Sequence, residues 1–439
     1  MRERLTKRCF LGVILIGFTI LICGCGGGGG GSQDPSGQPG VITISNSNPQ
    51  DIPATFYGQN YWDWAYTGLA GTESIMDELR LNVYRAGGTC NDWHNDGHAW
   101  GKPEVDQYIA YCRAIHAEPL LSVSVIDGTP EQAAEMVRYC NVERGYNVKY
   151  WIIGNEPEYY VRKIAGYNVN SYSADFINFV KAMKAVDSEI KVIGPEVGGE
   201  GMSWIASFLG QCKDYVDIVS FHHYPFGNSG DFTINNVMGD NDSTRQKIRQ
   251  VRNTIDTVCG SYKPLAITEI HTSWSDVMNE PASAETFYSG LWIANNIGVG
   301  LQERLWSMDL WGTNGGYGTG FLNPDKTPRP SYYAMQMFTT HFGKRLIPAE
   351  SILGVPAYAS RNREGTRTVL IVVNKKSNPQ DVTIKFAGFV TAIPGRAYSF
   401  PPYSLTCLSI PDDGGPMECW SYTKDLADRH QPPSYQSIP

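Results

Sequence analysis

A strand-like stretch that ends in Asn155 and Glu156 constrains the fold more than any other feature of the sequence. Residues 149–158 form an apolar and aromatic run that is bounded by Gly154 and stopped by Pro157. Such a run is typical of a parallel strand that is buried on both faces. Residues 263–270 repeat the arrangement, with Glu269 near the carboxyl end. Both stretches therefore predict buried strands that each deliver a glutamate at the same edge of a parallel sheet.

Strands and helices alternate through most of the chain. Eight predicted strands, each followed by a helical segment, lie at residues 54–60, 81–85, 119–125, 149–156, 190–194, 216–221, 263–270 and 301–308. Eight units over about 290 residues are close to a (β/α)8 barrel of about 250 residues plus loops. A doubly wound sheet would show the same alternation. Polar groups at the carboxyl ends of the second, fourth, sixth and seventh strands favour the closed barrel, which carries its active site there.

The character of the sequence changes near residue 346. Short β-like runs at 356–360, 367–375, 381–386 and 404–410 are separated by turns, and no helical period is visible. We therefore expect the α/β barrel over residues 41–345 and a small β-sandwich over 346–411, to which the strand-like residues 41–51 can add. Residues 412–439 are polar and rich in proline, and no fold is assigned to them.

The N-terminus has the parts of an export signal. Residues 1–8 are basic, and residues 10–22 are apolar but short for a membrane span. Gly24 followed by Cys25 resembles a bacterial lipobox, which predicts a signal over residues 1–25 and a lipid on Cys25. An ordinary secretory signal is the alternative. Residues 26–40 are rich in Gly, Ser and Pro and predict a flexible tether to a bacterial membrane.

Composition excludes some partners and favours others. The formal net charge of −8 argues against nucleic acid, because phosphate binding needs a basic face. Aromatic residues make up 12% of the chain, which suits a glycan cleft because sugar rings stack on aromatic planes, although core filling also uses such residues. Disulfides between Cys112 and Cys140, or Cys212 and Cys259, stay open. No pair of cysteines has the CxxC spacing that would indicate a zinc site, and no cofactor is expected.

Glutamates at the ends of the fourth and seventh strands point to glycoside hydrolysis. In that reaction one acid protonates the leaving oxygen, while the other attacks the sugar or activates water. Two ordinary strand-end glutamates are the alternative. Asn155-Glu156-Pro157 resembles the acid/base motif of the clan A retaining glycoside hydrolases, and Thr268-Glu269 resembles their seventh-strand nucleophile. The resemblance implies a barrel followed by a β-sandwich, with Glu156 as general acid/base and Glu269 as nucleophile.

The resemblance also implies roles for other strand-end residues. Asn155 corresponds to the residue that binds the sugar 2-hydroxyl, and Arg85 to the arginine that keeps the nucleophile charged, with a structural ion pair as the alternative. His222 and Tyr224 share a strand face. They resemble the clan's His-x-Tyr pattern, which implies that Tyr224 lies beside the nucleophile. Trp306 resembles the platform under the sugar. A core tryptophan is the alternative there, and Trp311 is a second candidate.

The loop after the second strand contributes further candidates to the site. Gly87-Gly88 resembles endoglucanase and arabinofuranosidase members of the clan, and Trp93 is a candidate sugar subsite. Asp92 and its neighbours His94, Asp96 and His98 are either cation ligands or a solvated polar loop, and the solvated loop is favoured. No metal is expected at His222 and His223, because adjacent strand residues face opposite ways. Glu158 and Glu196 are rival carboxylates without the clan's local motif.

We expect an exported retaining hydrolase of plant or microbial polysaccharide. An endo-acting β-glucanase or related hemicellulase is the first choice, since aromatic residues are dense on several predicted loops. An exo-acting arabinofuranosidase or β-glycosidase is the second. A non-catalytic, surface glycan-binding lipoprotein on a degenerate barrel is an alternative of another class.

Overall fold

Eight parallel strands close into a barrel. The computed structural model of the protein describes residues 40–61, 69–88, 92, 101–240, 242–275, 277–314 and 318–439. Two strands precede the barrel, β1 (Gly40–Ser45) and β2 (Gln50–Asp51). The barrel strands are β3 (Tyr57–Tyr61), β4 (Val83–Ala86), β5 (Glu118–Val123), β6 (Tyr150–Ile153), β7 (Lys191–Val197), β8 (Ile218–His223), β9 (Leu265–Ile270) and β10 (Ser307–Leu310). Each pairs in parallel with the next, and β10 closes on β3, which confirms the predicted barrel.

Helices surround the strands, as expected for alternating β/α units. They are α1 (Glu73–Asp77), α2 (Lys102–Ala114), α3 (Pro130–Val137), α4 (Val169–Val186), α5 (Ile205–Cys212), α6 (Ile234–Gly239), α7 (Ser243–Cys259), α8 (Phe287–Gln302) and α9 (Pro330–Gln336). Local signals set their starts. At α3, the Thr129 hydroxyl accepts the Gln132 N–H and the Gln132 side chain accepts the Thr129 N–H, a capping box with Pro130 in the first turn.

The eighth strand begins later than the sequence predicts. Helix α8 continues to Gln302, so the predicted strand at residues 301–308 shrinks to β10 at Ser307–Leu310. Gly298 and Gly300 reduce helix propensity in the sequence. In the structure a Cβ at Gly298 would lie 2.3 Å from the ring of Tyr358, so this glycine lets the β domain approach the helix closely.

Two sheets form the β domain. Its further strands are β11 (Arg345–Ile347), β12 (Ala357–Arg361), β13 (Arg367–Asn374), β14 (Gln380–Ala387), β15 (Arg396–Phe400), β16 (Ser404–Pro411), β17 (Met417–Thr423) and β18 (Ser434–Ile438). The larger sheet has the order β18-β17-β16-β13-β12-β11-β2, and the smaller has β1-β14-β15. An apolar core that includes Ile42, Leu370 and Ile384 lies between them. The other face of the larger sheet packs on the barrel through Ile371 and Leu405.

Both ends of the described chain contribute to this β domain. Residues 40–45 pair in parallel with β14, so this strand joins the sandwich and not the barrel. Residues 412–439, for which the sequence predicts no fold, form β17, the short helix α10 (Lys424–Asp428) and β18.

All six cysteines among the described residues are free thiols. Cys112, Cys140, Cys212 and Cys259 form no disulfide, so neither pairing left open by the sequence occurs. Within the described ranges, no helix combines the length and the apolar character needed to cross a bilayer.

Candidate active site

Glu156 and Glu269 meet at the carboxyl end of the barrel. Glu269 lies near the end of β9, and Glu156 follows β6 at the start of the 3₁₀ turn Pro157–Arg162. A carboxylate oxygen of each lies within 4.8 Å of the other and of a His222 ring nitrogen. Retaining glycosidases hold their carboxyl groups about 5–5.5 Å apart and inverting ones about 6.5–9.5 Å apart, so this close approach fits the retaining arrangement.

The backbone at Glu156 is held in a sparsely populated conformation. Its φ is +46°, in the left-handed region that non-glycine residues seldom adopt. The Glu156 N–H donates to the Glu196 carbonyl at 2.9 Å, which ties the end of β6 to β7. The Glu156 side chain is 22% exposed, whereas that of Glu269 is 6% exposed. Glu156 is therefore the carboxylate that solvent and substrate reach more easily.

Arg85 joins four strands from the centre of the site. It is fully buried on β4 and donates to Glu269 and Glu196, each at 2.8 Å. It also donates to Asn60 Oδ1 at 2.6 Å and Asn155 Oδ1 at 2.8 Å. Burial opposes its charge, but Glu196 and Glu269 outweigh burial and hold the pKa of Arg85 above its usual range. The guanidinium thus fixes both the nucleophile candidate and the Asn155 side chain.

His222 lies between three carboxylates. Its Nδ1 is 3.1 Å from Glu156 Oε1 and 3.5 Å from Glu269 Oε2, and its Nε2 is 3.3 Å from Glu196 Oε2. Burial lowers its pKa, yet Glu269 and the other two carboxylates raise the pKa of His222 to about 10. The ring is therefore an imidazolium at neutral pH, with one N–H for Glu156 and one for Glu196.

Hydrogen-bond donors surround Glu269. Arg85 donates to Oε1, and the Tyr224 hydroxyl donates to Oε2 at 2.8 Å. Burial, with a further contribution from Glu156, keeps the pKa of Glu269 above its usual value, while His222, Arg85 and the Tyr224 hydrogen bond oppose this rise. Since both oxygens already accept hydrogen bonds, the contacts suit the ionised form that a nucleophile needs.

Glu196 balances the positive charges of Arg85 and His222. It is fully buried at the end of β7, and it accepts from Arg85, His222 and the Thr268 hydroxyl. Burial alone would raise its pKa, but Arg85 and His222 lower the pKa of Glu196 to about 2. This carboxylate is a permanent counter-charge and, being inaccessible, no longer a rival for either catalytic role. Only its place at a strand end signalled it in the sequence.

Glu156, His222 and Glu269 are also a geometrically feasible set of metal ligands. Their protonation chemistry argues against that use. A metal needs an unprotonated imidazole nitrogen, whereas three carboxylates keep His222 charged. Arg85 already supplies a positive charge to Glu269 at 2.8 Å. The set is better suited to moving protons than to holding an ion.

Residues 136–386 match the family described as "Glycosyl hydrolases family 39", and this match includes both Glu156 and Glu269. It covers more than half of the chain. The chain belongs to this family. Its membership places it among the clan A glycoside hydrolases that the sequence motifs resemble.

Individual relatives of this family 39 chain are distant. An intracellular exo-alpha-(1->5)-L-arabinofuranosidase of Acetivibrio thermocellus is 24% identical over 173 residues, which are 35% of this chain and 34% of that protein. The match spans about a third of the length of the first curated relatives.

Solved structures extend the similarity to nearly the whole chain. An alpha-L-arabinofuranosidase from Thermotoga maritima has a TM-score of 0.68 at 18% identity and covers 91% of this chain and 95% of that one. CelM2, a bifunctional glucanase-xylanase from a metagenome library, has a TM-score of 0.66 at 16% identity, covering 85% and 99%. At these identities the two structures share the fold with the family 39 chain.

Of the tryptophans predicted to bind sugar, Trp306 lies elsewhere than the sequence predicts. Trp306 is not at the catalytic end, because it precedes β10 and packs against the apolar floor of the barrel, with its ring 4.9 Å from that of Tyr150. The prediction that Trp306 carries the sugar is therefore wrong. Trp311 follows β10 at the catalytic end, and its ring faces Gly88, where a Cβ would lie 2.9 Å away. Trp93 lies outside the described residues.

Trp274 is a further aromatic candidate at the catalytic end, and the sequence motifs do not single it out. It follows Glu269 by five residues on the loop after β9, and 65% of it is exposed. A Cβ at Gly227 would lie 1.9 Å from its indole nitrogen, so the indole rests on the backbone of the neighbouring loop. Its spacing from Glu269 is the only signal that could have found it.

Asp92 is neither a solvated loop residue nor a cation ligand. It is 2% exposed, and Oδ1 accepts the Val125 N–H at 2.7 Å. Oδ2 accepts the Asn155 N–H at 3.2 Å and the Tyr160 hydroxyl. Burial raises the pKa of Asp92 to about 6, and these hydrogen bonds oppose the rise. Asp92 thereby connects the loops after β4, β5 and β6 and positions Asn155.

Proposed function

We propose that the family 39 chain hydrolyses glycosidic bonds of a hemicellulose-type polysaccharide with retention of anomeric configuration. The observation that carries this proposal is the approach of Glu156, Glu269 and His222 within 4.8 Å of one another. Inverting enzymes hold their carboxyl groups about 6.5–9.5 Å apart so that a water can attack the sugar, whereas this closer approach suits direct attack by one of the two carboxylates.

In the first step, Glu269 attacks the anomeric carbon while the bond to the leaving oxygen breaks. Glu156 gives its proton to that oxygen, and the sugar becomes an ester of Glu269. In the second step, Glu156 takes a proton from water as that water attacks the same carbon, and the ester bond to Glu269 breaks. The enzyme returns to its starting protonation state.

Neighbouring groups have separate tasks in this scheme. Arg85 and Tyr224 donate to Glu269 at 2.8 Å and keep it ionised before attack. Asn155 accepts from Arg85 through Oδ1, which turns its amide nitrogen away from the guanidinium, and its proposed task is to bind the sugar 2-hydroxyl. Trp311 is the proposed platform under the reacting sugar, and Trp93 a proposed outer subsite.

Two substrate types remain in contention, and each has its own support. The exposed indole of Trp274 at the rim favours an extended chain, since a platform beyond the reacting sugar serves an endo-acting hemicellulase or glucanase. The exo-acting arabinofuranosidase among the relatives favours release of a single terminal sugar. A panel of arabinan, xylan, xyloglucan and β-glucan decides between them. Oligosaccharide ladders support endo action, and monosaccharide alone supports exo action.

Stereochemistry and rescue test the mechanism itself. Proton NMR should detect the retained anomer first, and an inverted first product would contradict double displacement. With an activated aryl glycoside, azide should restore turnover of Glu156→Ala as the retained glycosyl azide, because azide needs no base. Azide should also restore turnover of Glu269→Ala, and the product of that variant should be the inverted glycosyl azide. Glycan binding without any turnover of the wild type would instead support a non-catalytic binding protein.

We also propose that the chain is exported and anchored by a lipid on Cys25. The support is the apolar segment that ends in Gly24-Cys25, followed by a Gly-rich tether. Lipid anchors bind a membrane by burying acyl chains. Cys25→Ser should move the protein from the membrane fraction to the soluble fraction. A variant that stays in the membrane fraction without lipid would refute the anchor.

A further inference from the structure

A groove follows the rim of the catalytic end, apart from the residues that surround Glu156 and Glu269. It consists of two adjoining cavities with volumes of about 390 Å³ and 460 Å³, and the linings of both include Pro328 and Tyr333. Each cavity has the size of a typical small-molecule site. Because the two meet at the same residues, they form one elongated surface, which is called the rim groove below.

Three neighbouring β/α units and the last part of the chain form the rim groove. Its lining includes Ser74 on α1, Pro328 just before α9 and Glu285 just before α8. These helices follow β3, β10 and β9, which are adjacent in the barrel, so the groove lies where strands lead into helices. Side chains between Tyr422 and Pro432, at the end of β17 and around α10, complete the lining.

The charged side chains of the rim groove balance one another. Lys424 Nζ donates to Asp428 Oδ1 at 2.7 Å, and Lys326 Nζ donates to the Ala70 carbonyl at 2.6 Å. Arg329 is 3% exposed and donates to the carbonyls of residues 318 and 319. Besides His430, the charged members of the lining are Glu78, Glu285, Asp428, Lys326, Arg329 and Lys424. Equal numbers of opposite charges, several of them held by protein partners, favour an uncharged ligand over a phosphate or a carboxylate.

Tyr333 supplies an aromatic ring where the two cavities meet. It is half-buried, and its ring centroid is 5.1 Å from that of Tyr422 and 5.4 Å from that of Tyr332, so neighbouring rings hold it in place. The Gln336 amide and the Ser74 hydroxyl lie in the lining of the larger cavity. A ring that packs against C–H faces, beside side chains that bind hydroxyl groups, suits a sugar chain.

We propose that the rim groove is a second, non-catalytic binding site for an uncharged stretch of the polysaccharide substrate. This inference deepens the proposed function and rests on it. A polysaccharide bound in the groove is held at the catalytic end of the same molecule, which raises the effective concentration of its other segments at the active site. A short glycoside that reaches only the active site gains nothing from the groove.

Two substitutions test the rim groove by different means. Ser74 is exposed on α1, so Ser74→Trp fills the groove without removing a buried side chain, whereas Tyr333→Ala removes the ring between the cavities. Tyr262→Ala is the matched control, because Tyr262 is 69% exposed at the opposite end of the barrel, between α7 and β9.

Affinity electrophoresis in native gels measures binding, with Glu269→Ala as the parent so that the polymer stays intact. Soluble xylan, xyloglucan, arabinan and β-glucan are the probes, and at least one of them should retard the parent. Ser74→Trp or Tyr333→Ala, added to this parent, should raise the apparent Kd for that polymer at least about threefold. Tyr262→Ala should leave the Kd unchanged.

Kinetics separate the rim groove from the active site. With Glu269 intact, Ser74→Trp should raise KM for the bound polymer at least about threefold, while kcat/KM for an aryl glycoside stays within about twofold. A wild type that hydrolyses the polymer with retained configuration, together with a Ser74→Trp enzyme whose Kd and KM for it are unchanged, would overturn the second site and leave the proposed function standing.

The remaining outcomes also decide the matter. Retardation that Ser74→Trp removes, in a protein whose wild type turns over no glycoside, would support the binding site and overturn the proposed hydrolysis. Absence of retardation by all four polymers would overturn the second site. Retardation by polygalacturonate alone, again removed by Ser74→Trp, would assign an acidic ligand to the groove and overturn the uncharged one.

Discussion

At the scale of single residues, His222 and His223 are sequence neighbours with opposite electrostatic surroundings. Both are buried on β8, and burial alone lowers the pKa of either imidazole. His222 faces three carboxylates inside the barrel. His223 faces the helices, where Nε2 lies 3.4 Å from the Ser243 hydroxyl, and its pKa falls to about 4. Alternation along the strand therefore separates a charged ring from a neutral one.

Nitrogen-15 NMR of labelled histidine should show His222 doubly protonated and His223 neutral at about pH 7.5. The pKa of His222 rises from 6.5 to about 10, so its contribution to stability is complete below 6.5 and is lost as pH rises through 10. The pKa of His223 falls from 6.5 to about 4, so its contribution is present above 6.5 and is lost as pH falls through 4. A neutral His222 at pH 7.5 would contradict the charge balance of the site.

Side-chain alternation explains which parts of the site the sequence could predict. A period of two places His222 and Tyr224 on one face whatever the rest of the chain does. The contacts of Glu196 and Asp92 depend on residues brought together from other strands, such as Arg85 and Tyr160. No local pattern encodes such contacts. Asp92 therefore resembled a solvated loop residue in the sequence.

At the scale of elements, strand periodicity identified seven barrel strands within a few residues, but β10 was displaced. Trp306 was assigned to the wrong end of the barrel because two glycines, Gly298 and Gly300, lie near the end of the helix before it. Gly298 has a tertiary cause, as it lies against the Tyr358 ring, and the Tyr358 hydroxyl donates to Asn295 on the same helix. Helix propensity takes no account of these tertiary contacts. The glycines alone therefore indicated that α8 ends earlier than it does.

Gly298→Ala should lower the free energy of unfolding by about 1–3 kcal/mol, because the added methyl group overlaps a ring that hydrogen bonds hold in place. Gly210→Ala is the matched control. It also lies in a helix, α5, but no atom lies within 4 Å of the new methyl group. The control should gain about 0.5–1 kcal/mol. Urea unfolding of both variants measures these changes, and equal changes would disprove the close contact at Gly298.

At the scale of the whole molecule, the β domain is assembled from distant parts of the chain. Strand β1 opens the described chain and pairs with β14, while β17 near its other end covers the edge of β16. Tyr422 of β17 is 3% exposed, and its ring is 5.4 Å from that of Phe287 at the start of α8. Polar and proline-rich composition concealed β17 and β18 in the sequence.

Two truncations test whether this last segment is part of the fold. A chain that ends at Arg429 lacks only β18, whose residues 434–437 are exposed, so its free energy of unfolding should fall by no more than about 1 kcal/mol. A chain that ends at Gly414 also lacks β17 and uncovers β16, all eight residues of which are buried. An apolar strand edge of that length promotes aggregation. The shorter chain should therefore be insoluble at 37 °C, and a soluble, cooperatively unfolding product would show that the barrel and the inner strands stand without β17.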